Sequence, residues 1–203
     1  MASKKTIADI ALLGGHTVLD FINTVDARRD TWGPDFLTCY SDLLLWAERV
    51  GLFGQAAAES AARLAHLDPA AGMTALDRAK VLREALYGLC QAETSKAPIT
   101  PEDLGHLNRA VRQAEKRRHL GISPEGLEWQ WQATVDLDLV TDRLALAAAA
   151  LLVEDKSGRR SIRECPGQNC GWLFLDTSRG GRRHWCSEKG CGTRTRVRKF
   201  RAQ

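Results

Sequence analysis

Apolar positions recur at helical spacing through most of the chain, and the period changes near residue 118 and again near residue 157. From Thr17, the run Val18, Leu19, Phe21, Ile22 and Val25, with Asp20, Asn23 and Asp26 between, predicts a first helix. Gly33-Pro34 then breaks regularity over residues 30–35. A second helix is predicted over 41–50, burying Leu43, Leu44, Trp46, Ala47 and Val50 and stopped by Gly51. An alanine-rich third, over 56–67, ends before Asp68-Pro69. Residues 74–93 carry the broadest apolar stripe, from Leu76 through Leu86 to Cys90, opposed by Asp77, Arg78, Lys80, Arg83 and Glu84. Thr100-Pro101-Glu102-Asp103 supplies a cap, a proline in the first turn and early acids for a helix through about residue 116.

Over 118–133 the period falls to two. Leu127, Trp129 and Trp131 alternate with Glu128, Gln130 and Gln132, as in a half-exposed strand, and Leu120 and Ile122 make its partner across Ser123-Pro124-Glu125-Gly126. Residues 138–153 form a last helix, apolar nearly all round and hence central. The fold class expected is α+β: a mainly α-helical N-terminal domain with a β-hairpin over 1–156, then a small cysteine-bearing unit over 157–203. The break falls at 154–158.

Charge sharpens that boundary. The whole chain carries +4, but residues 157–203 hold +9 and residues 1–156 hold −5. An acidic body with a basic end points to a polyanion as the partner of that end. No apolar run reaches the ~18–20 residues of a membrane span, and the first residues are a poor secretory signal, so a cytoplasmic protein with no membrane association is expected.

Four of the six cysteines sit in the basic end, as Cys165-x4-Cys170-x15-Cys186-x4-Cys191. Two close pairs joined by a 15-residue arm suit one tetrahedral ion, each pair wrapping a turn around it. All-thiolate ligation favours Zn2+ or an iron–sulfur cluster, and a small basic segment with short turns favours zinc, in a closed structural site. Two disulfides are the competing reading. Cys39 and Cys90 lie beside apolar helical stretches and read as buried free thiols.

Beyond Cys191, Arg194, Arg198 and Arg201 share one helical face, with Arg196 and Lys199 beside them, while Val197 and Phe200 fall with Thr193 on another that could pack on Trp172 or Phe174. Such a helix fits a DNA major groove about 12 Å wide. Arg194 and Arg198 would reach or border base edges. Arg179, Arg182, Arg183, Arg196, Lys199 and Arg201 would hold phosphates of double-stranded DNA. The alternative is an RNA- or protein-interaction module, with Trp172, Phe174 and Trp185 stacking bases rather than filling the core.

The segment from Glu164-Cys165 to Arg179, then Arg183-His184-Trp185-Cys186 and Cys191-Gly192-Thr193-Arg194, resembles the CGNR zinc-finger family of bacterial transcription regulators. Residues 19–25 and 42–46 resemble its usual companion, the ABATE domain. The resemblance implies zinc on Cys165, Cys170, Cys186 and Cys191, DNA binding and a regulatory role. Thr193 stands where the family's name motif has asparagine.

A regulator needs an input. His16, Asp20 and Asn23 at i, i+4, i+7 suggest one face of an effector pocket for a small molecule, with Trp46, Trp129 and Trp131 as further candidates. Capping and hydrogen bonding around Gly14-Gly15 explain the same residues without a ligand. A single small finger covers few base pairs, which makes a homodimer through the body the expectation. No nucleophile–base pair or open metal site is recognisable, so no enzymatic activity is expected.

Overall fold

The computed structural model describes residues 5–153 and 161–202, and the boundary read at 154–158 lies outside them. The element order is α1 (Thr17–Ile22), α2 (Tyr40–Arg49), α3 (Gln55–Leu67), α4 (Pro69–Ser95), α5 (Pro101–Lys116), β1 (Arg118–Ser123), β2 (Gly126–Trp131), α6 (Leu139–Val153), β3 (Ile162–Glu164), β4 (Leu173–Leu175) and α7 (Thr193–Arg201). The α+β reading holds: a helical body bearing one hairpin, then a four-cysteine unit and a last helix.

Helix α4 is the spine. It packs against α1, α2, α3, α5, α6 and β3, burying Leu76, Leu82, Leu86 and Leu89. Its start differs from the sequence pattern. Asp68-Pro69 opens α4 instead of merely ending α3: Asp68 accepts a 2.9 Å bond from the Ala71 N–H, and proline fills the first position, where no N–H is needed. Helix α5 begins as its sequence predicts, with Thr100 Oγ1 accepting from Asp103 N–H at 3.2 Å. Phe21 and Trp46 meet with centroids 5.2 Å apart, and α6 closes the core with Val140, Leu144 and Ala148 fully buried.

One buried ion network shapes the loop after α1. Arg83, 1% exposed, grips Asp35 with two 2.8 Å bonds, donates to Thr24 Oγ1 at 3.0 Å and meets Glu84. Burial opposes the charge on Asp35, and the Arg83 bonds outweigh it, leaving the carboxyl below its ordinary range. Arg28 spans Glu84 and the Ile22 carbonyl from within the same network. These bonds, with the Val25–Asp35 bridge, hold residues 24–35 in a fixed shape.

Two expectations about burial are corrected. Cys39 is exposed just before α2, whereas Cys90 is buried on α4. The hairpin forms in the predicted register, Leu120 opposite Trp129 and Ile122 opposite Leu127. Its apolar face is nevertheless bare: Leu120 is 59% exposed, Ile122 84%, Leu127 75% and Trp129 55%. The physical reason is its mooring. Strand β1 follows α5 almost directly, and only the base is tied back, through Gln132 bonding Lys116 and Arg117 carbonyls and Trp131 stacking under Arg143. The two strands therefore extend past the helical layer.

Candidate metal centre and nucleic-acid interface

The C-terminal unit has almost no core of its own. Strands β3 and β4 pair antiparallel over three residues each, and two short turns carry the cysteines. In the first turn, Asn169 is left-handed (φ 55°) and Cys170 N–H bonds the Gly167 carbonyl at 3.0 Å. Gly167 is required there, since a Cβ would sit 2.9 Å from Cys191 Sγ. The second turn is capped by Ser187, whose Oγ accepts from Gly190 N–H at 3.0 Å, and it runs on into α7.

These turns bring Cys165, Cys170, Cys186 and Cys191 together, all buried, with their sulfurs within 4.8 Å of one another. Cys186 Sγ stands 3.7 Å from both Cys170 Sγ and Cys191 Sγ. An ion held tetrahedrally at about 2.3 Å sets neighbouring sulfurs about 3.8 Å apart, whereas a disulfide needs about 2.05 Å. The donor set fits one four-coordinate ion and not two disulfides. Thiols this close share protons: hydrogen bonds from Cys170 and Cys186 hold the Cys165 thiol well below its ordinary range. Backbone N–H groups of Gly167 and Cys186 also point at that sulfur, and Arg194 Nη2 donates to Cys191 Sγ at 3.2 Å. Such donors stabilise thiolate ligands and orient them.

The unit is clasped to the body. The Asn23 amide donates to the Leu173 carbonyl at 2.8 Å and accepts its N–H at 3.0 Å. Trp172 Nε1 donates to the Val25 carbonyl at 2.8 Å, Arg28 N–H to the Cys170 carbonyl at 2.9 Å, and Thr31 N–H to Asn169 Oδ1 at 2.8 Å. Leu175 N–H reaches the Gly14 carbonyl at 2.8 Å. Most of these partners lie on the 24–35 loop that Arg83 fixes or on α1, so the cysteine turns rest on the body's ion network.

Arg183 belongs to this clasp, which corrects its reading as a phosphate holder. It donates to the carbonyls of Leu13, Cys186, Trp185 and Leu175, and its guanidinium lies 4.3 Å from the Phe174 centroid. Trp172 and Phe174 are core, at 6% and 0% exposure, and so unavailable for stacking bases.

Residues 15–155 match the family model ABATE, described as "Putative stress-induced transcription regulator", and residues 161–203 match the CGNR zinc finger. The chain belongs to the ABATE family. A search of curated proteins gives no significant match. The ABATE region and the CGNR finger are thus consecutive in sequence and bonded to each other in space.

The basic residues outside the clasp lie on the finger's outer side. Helix α7 buries no side chain, and Arg179, Arg182, Arg194, Arg198, Lys199 and Arg201 are all exposed. Arg196 is paired with Glu188, and Arg198 bonds Gln168 on the first cysteine turn. Gln168, Asn169, Arg194, Thr195 and Arg198 line a groove of about 370 Å³ between that turn and α7. Val197 and Phe200 do not pack on Trp172 or Phe174: they are 44% and 80% exposed, because α7 projects away from the finger core. Thr193 Oγ1 donates to the Glu188 carbonyl at 3.1 Å, fixing the entry to α7.

The six residues read as an effector pocket are not gathered into one. Helix α1 stops at Ile22, so Asn23 is its C-terminal cap and faces the finger. His16 Nδ1 accepts from Val18 N–H at 3.2 Å as the N-terminal cap, and Asp20 accepts from Gly14 N–H at 2.7 Å. Trp46 is fully buried in the core, and Trp129 lies out on the hairpin under Arg118. Trp131 alone of these lines a described cleft, about 340 Å³, with Arg143, Val135 and Leu139. The clasp role of Asn23 had one sequence signal: an amide among apolar neighbours must find partners on both its oxygen and its nitrogen.

Proposed function

We propose that this chain is a cytoplasmic, zinc-dependent transcription regulator whose CGNR finger binds duplex DNA through α7 and the outer basic surface. Zinc is the ion that suits four buried thiolates in a closed, redox-inert site. It acts by holding the two turns together and launching α7, with no open position for substrate. The observation that carries the reading is the sorting of charge. Every basic side chain of α7 is exposed beside the metal turns, whereas of the aromatics that single-stranded binding would need Trp172 and Phe174 are core and Trp185 is half-buried against them.

On duplex DNA, Arg194 and Arg198 flank the groove beside the first cysteine turn and reach base edges. Arg179, Arg182, Arg196, Lys199 and Arg201 contact phosphates, and exposed Val197 and Phe200 offer apolar contact to thymine methyl groups. The ABATE body carries no chemistry of its own in this proposal; it is the rigid support and regulatory input of the finger. Selection of bound genomic fragments by zinc-loaded protein tests it. Enrichment of discrete fragments, lost with Cys186→Ser, is the expected result; equal recovery by the variant contradicts it.

A further inference from the structure

The hairpin's bare apolar face calls for a partner. Four large apolar side chains, Leu120, Ile122, Leu127 and Trp129, stand directly opposite one another in register on one face, 55–84% exposed. The other face carries His119, Glu128 and Gln130. A two-stranded hairpin is marginal in water unless a further layer covers its apolar side, and no helix among the described residues does so. We propose that a second copy of this chain supplies that layer, two hairpins packing face to face about a two-fold axis with their strands antiparallel.

Two features of the face select a second copy over an unrelated partner. The first is area. The four side chains expose on the order of 500 Å² per copy, so a pair buries on the order of 1,000 Å², the lower bound for a specific interface. The patch is also about as large as the biggest apolar patch a monomer usually shows. The second is charge. The hairpin base carries Arg118, 4.0 Å from the Trp129 centroid on the same face and paired with Glu115 of α5 at 2.5 and 2.8 Å, and its tip carries exposed Glu125. A two-fold antiparallel packing sets the tip of each hairpin against the base of the other, so Glu125 reaches the guanidinium nitrogen of Arg118 that Glu115 leaves open, twice, as an isologous contact requires. This inference is independent of what the finger binds.

The test is the mass of the zinc-loaded full chain, by light scattering and sedimentation from low to high micromolar concentration. The expected result is a concentration-dependent species of twice 22.4 kDa. Ile122→Thr with Leu127→Thr, which keeps β-branched or strand-tolerant side chains on the face, is expected to weaken the dimer more than about tenfold with unchanged far-ultraviolet dichroism and metal content. Arg118→Glu and Glu125→Arg are each expected to be monomeric alone and to pair when mixed, since only the mixture opposes unlike charges at both contacts. A wild-type chain that stays at 22.4 kDa overturns the proposal and leaves the face to a different partner. A dimer unaffected by the threonine substitutions, or charge variants that show no preference for each other, overturns it as well.

Discussion

The inner and outer sides of the finger use the same kind of residue for opposite ends. Arg183 and Arg182 are adjacent, yet Arg183 bonds four carbonyls and lies on Phe174, while Arg182 is exposed with no ion pair among the described residues. The inner side closes a unit too small to fold on packing alone. The outer side keeps its charges exposed, even where Arg196 pairs with Glu188 and Arg198 bonds Gln168, because α7 buries no side chain. Net charge therefore overstates the binding surface: of the basic residues after Cys165, those turned toward the body are structural.

That contrast can be broken most severely by taking the metal away. Structural zinc contributes on the order of 10–16 kcal/mol in finger peptides, so chelation or Cys170→Ser should unfold the cysteine turns. Trp172 then leaves the Val25 carbonyl, and its emission shifts to the red while the body's helical dichroism persists. Next in size is Arg83→Met. It takes two charged hydrogen bonds from the half-buried Asp35 carboxylate, leaving it only Lys80 and the Leu37 N–H, and should cost about 3–5 kcal/mol in chemical denaturation, loosening the 24–35 loop that seats the finger. Asn23→Leu leaves the Leu173 N–H and carbonyl unpaired and should cost about 2–4 kcal/mol, without touching a sulfur.

The adjacent arginines give the sharpest comparison. Arg183→Ala should cost about 2–4 kcal/mol, and Arg182→Ala should stay within about 0.5 kcal/mol while weakening DNA binding. Equal stability of the two variants would erase the distinction between the finger's sides.

The last effect concerns the body and depends on pH. Burial raises the Asp142 carboxyl from 3.8 to about 6, outweighing the pull of Arg117. The folded chain then holds a proton that the unfolded chain releases, so stability rises as the pH falls from about 6 toward 4. Asp142→Asn should flatten that rise by about 2 kcal/mol when both proteins are zinc-loaded. A parallel pH profile for the two would contradict the assignment.

Much of this arrangement was legible in the sequence, for local reasons. The cysteine spacing names its own ligands because each pair closes within one turn, and the Thr100 cap and the hairpin register follow from neighbouring residues. What was not legible depends on distant partners. Asn23 and Leu173 meet across 150 positions, and no period in either segment announces it. The alternation over 127–131 gives the apolar face of a strand but not whether anything covers it. Asp68-Pro69 reads equally as a helix stop and a helix start, since proline is excluded from helix interiors and welcome in the first turn. The three tryptophans and the polar residues around α1 read as one pocket are separated because α1 is only six residues long, so His16 and Asp20 bond the backbone at its start while Asn23, past its end, bonds the finger.

The central claim is that the finger's outer surface is an electrostatic grip on duplex DNA, held out by a metal-organised inner side. It is tested most directly by the salt dependence of duplex affinity for the zinc-loaded chain and for Arg182→Ala, Lys199→Ala and Arg201→Ala combined. The log–log slope should be steep for the wild type and shallower by about 0.9 for each phosphate contact removed, with stability unchanged. An affinity that ignores salt, or a slope the triple substitution leaves intact, would contradict the account.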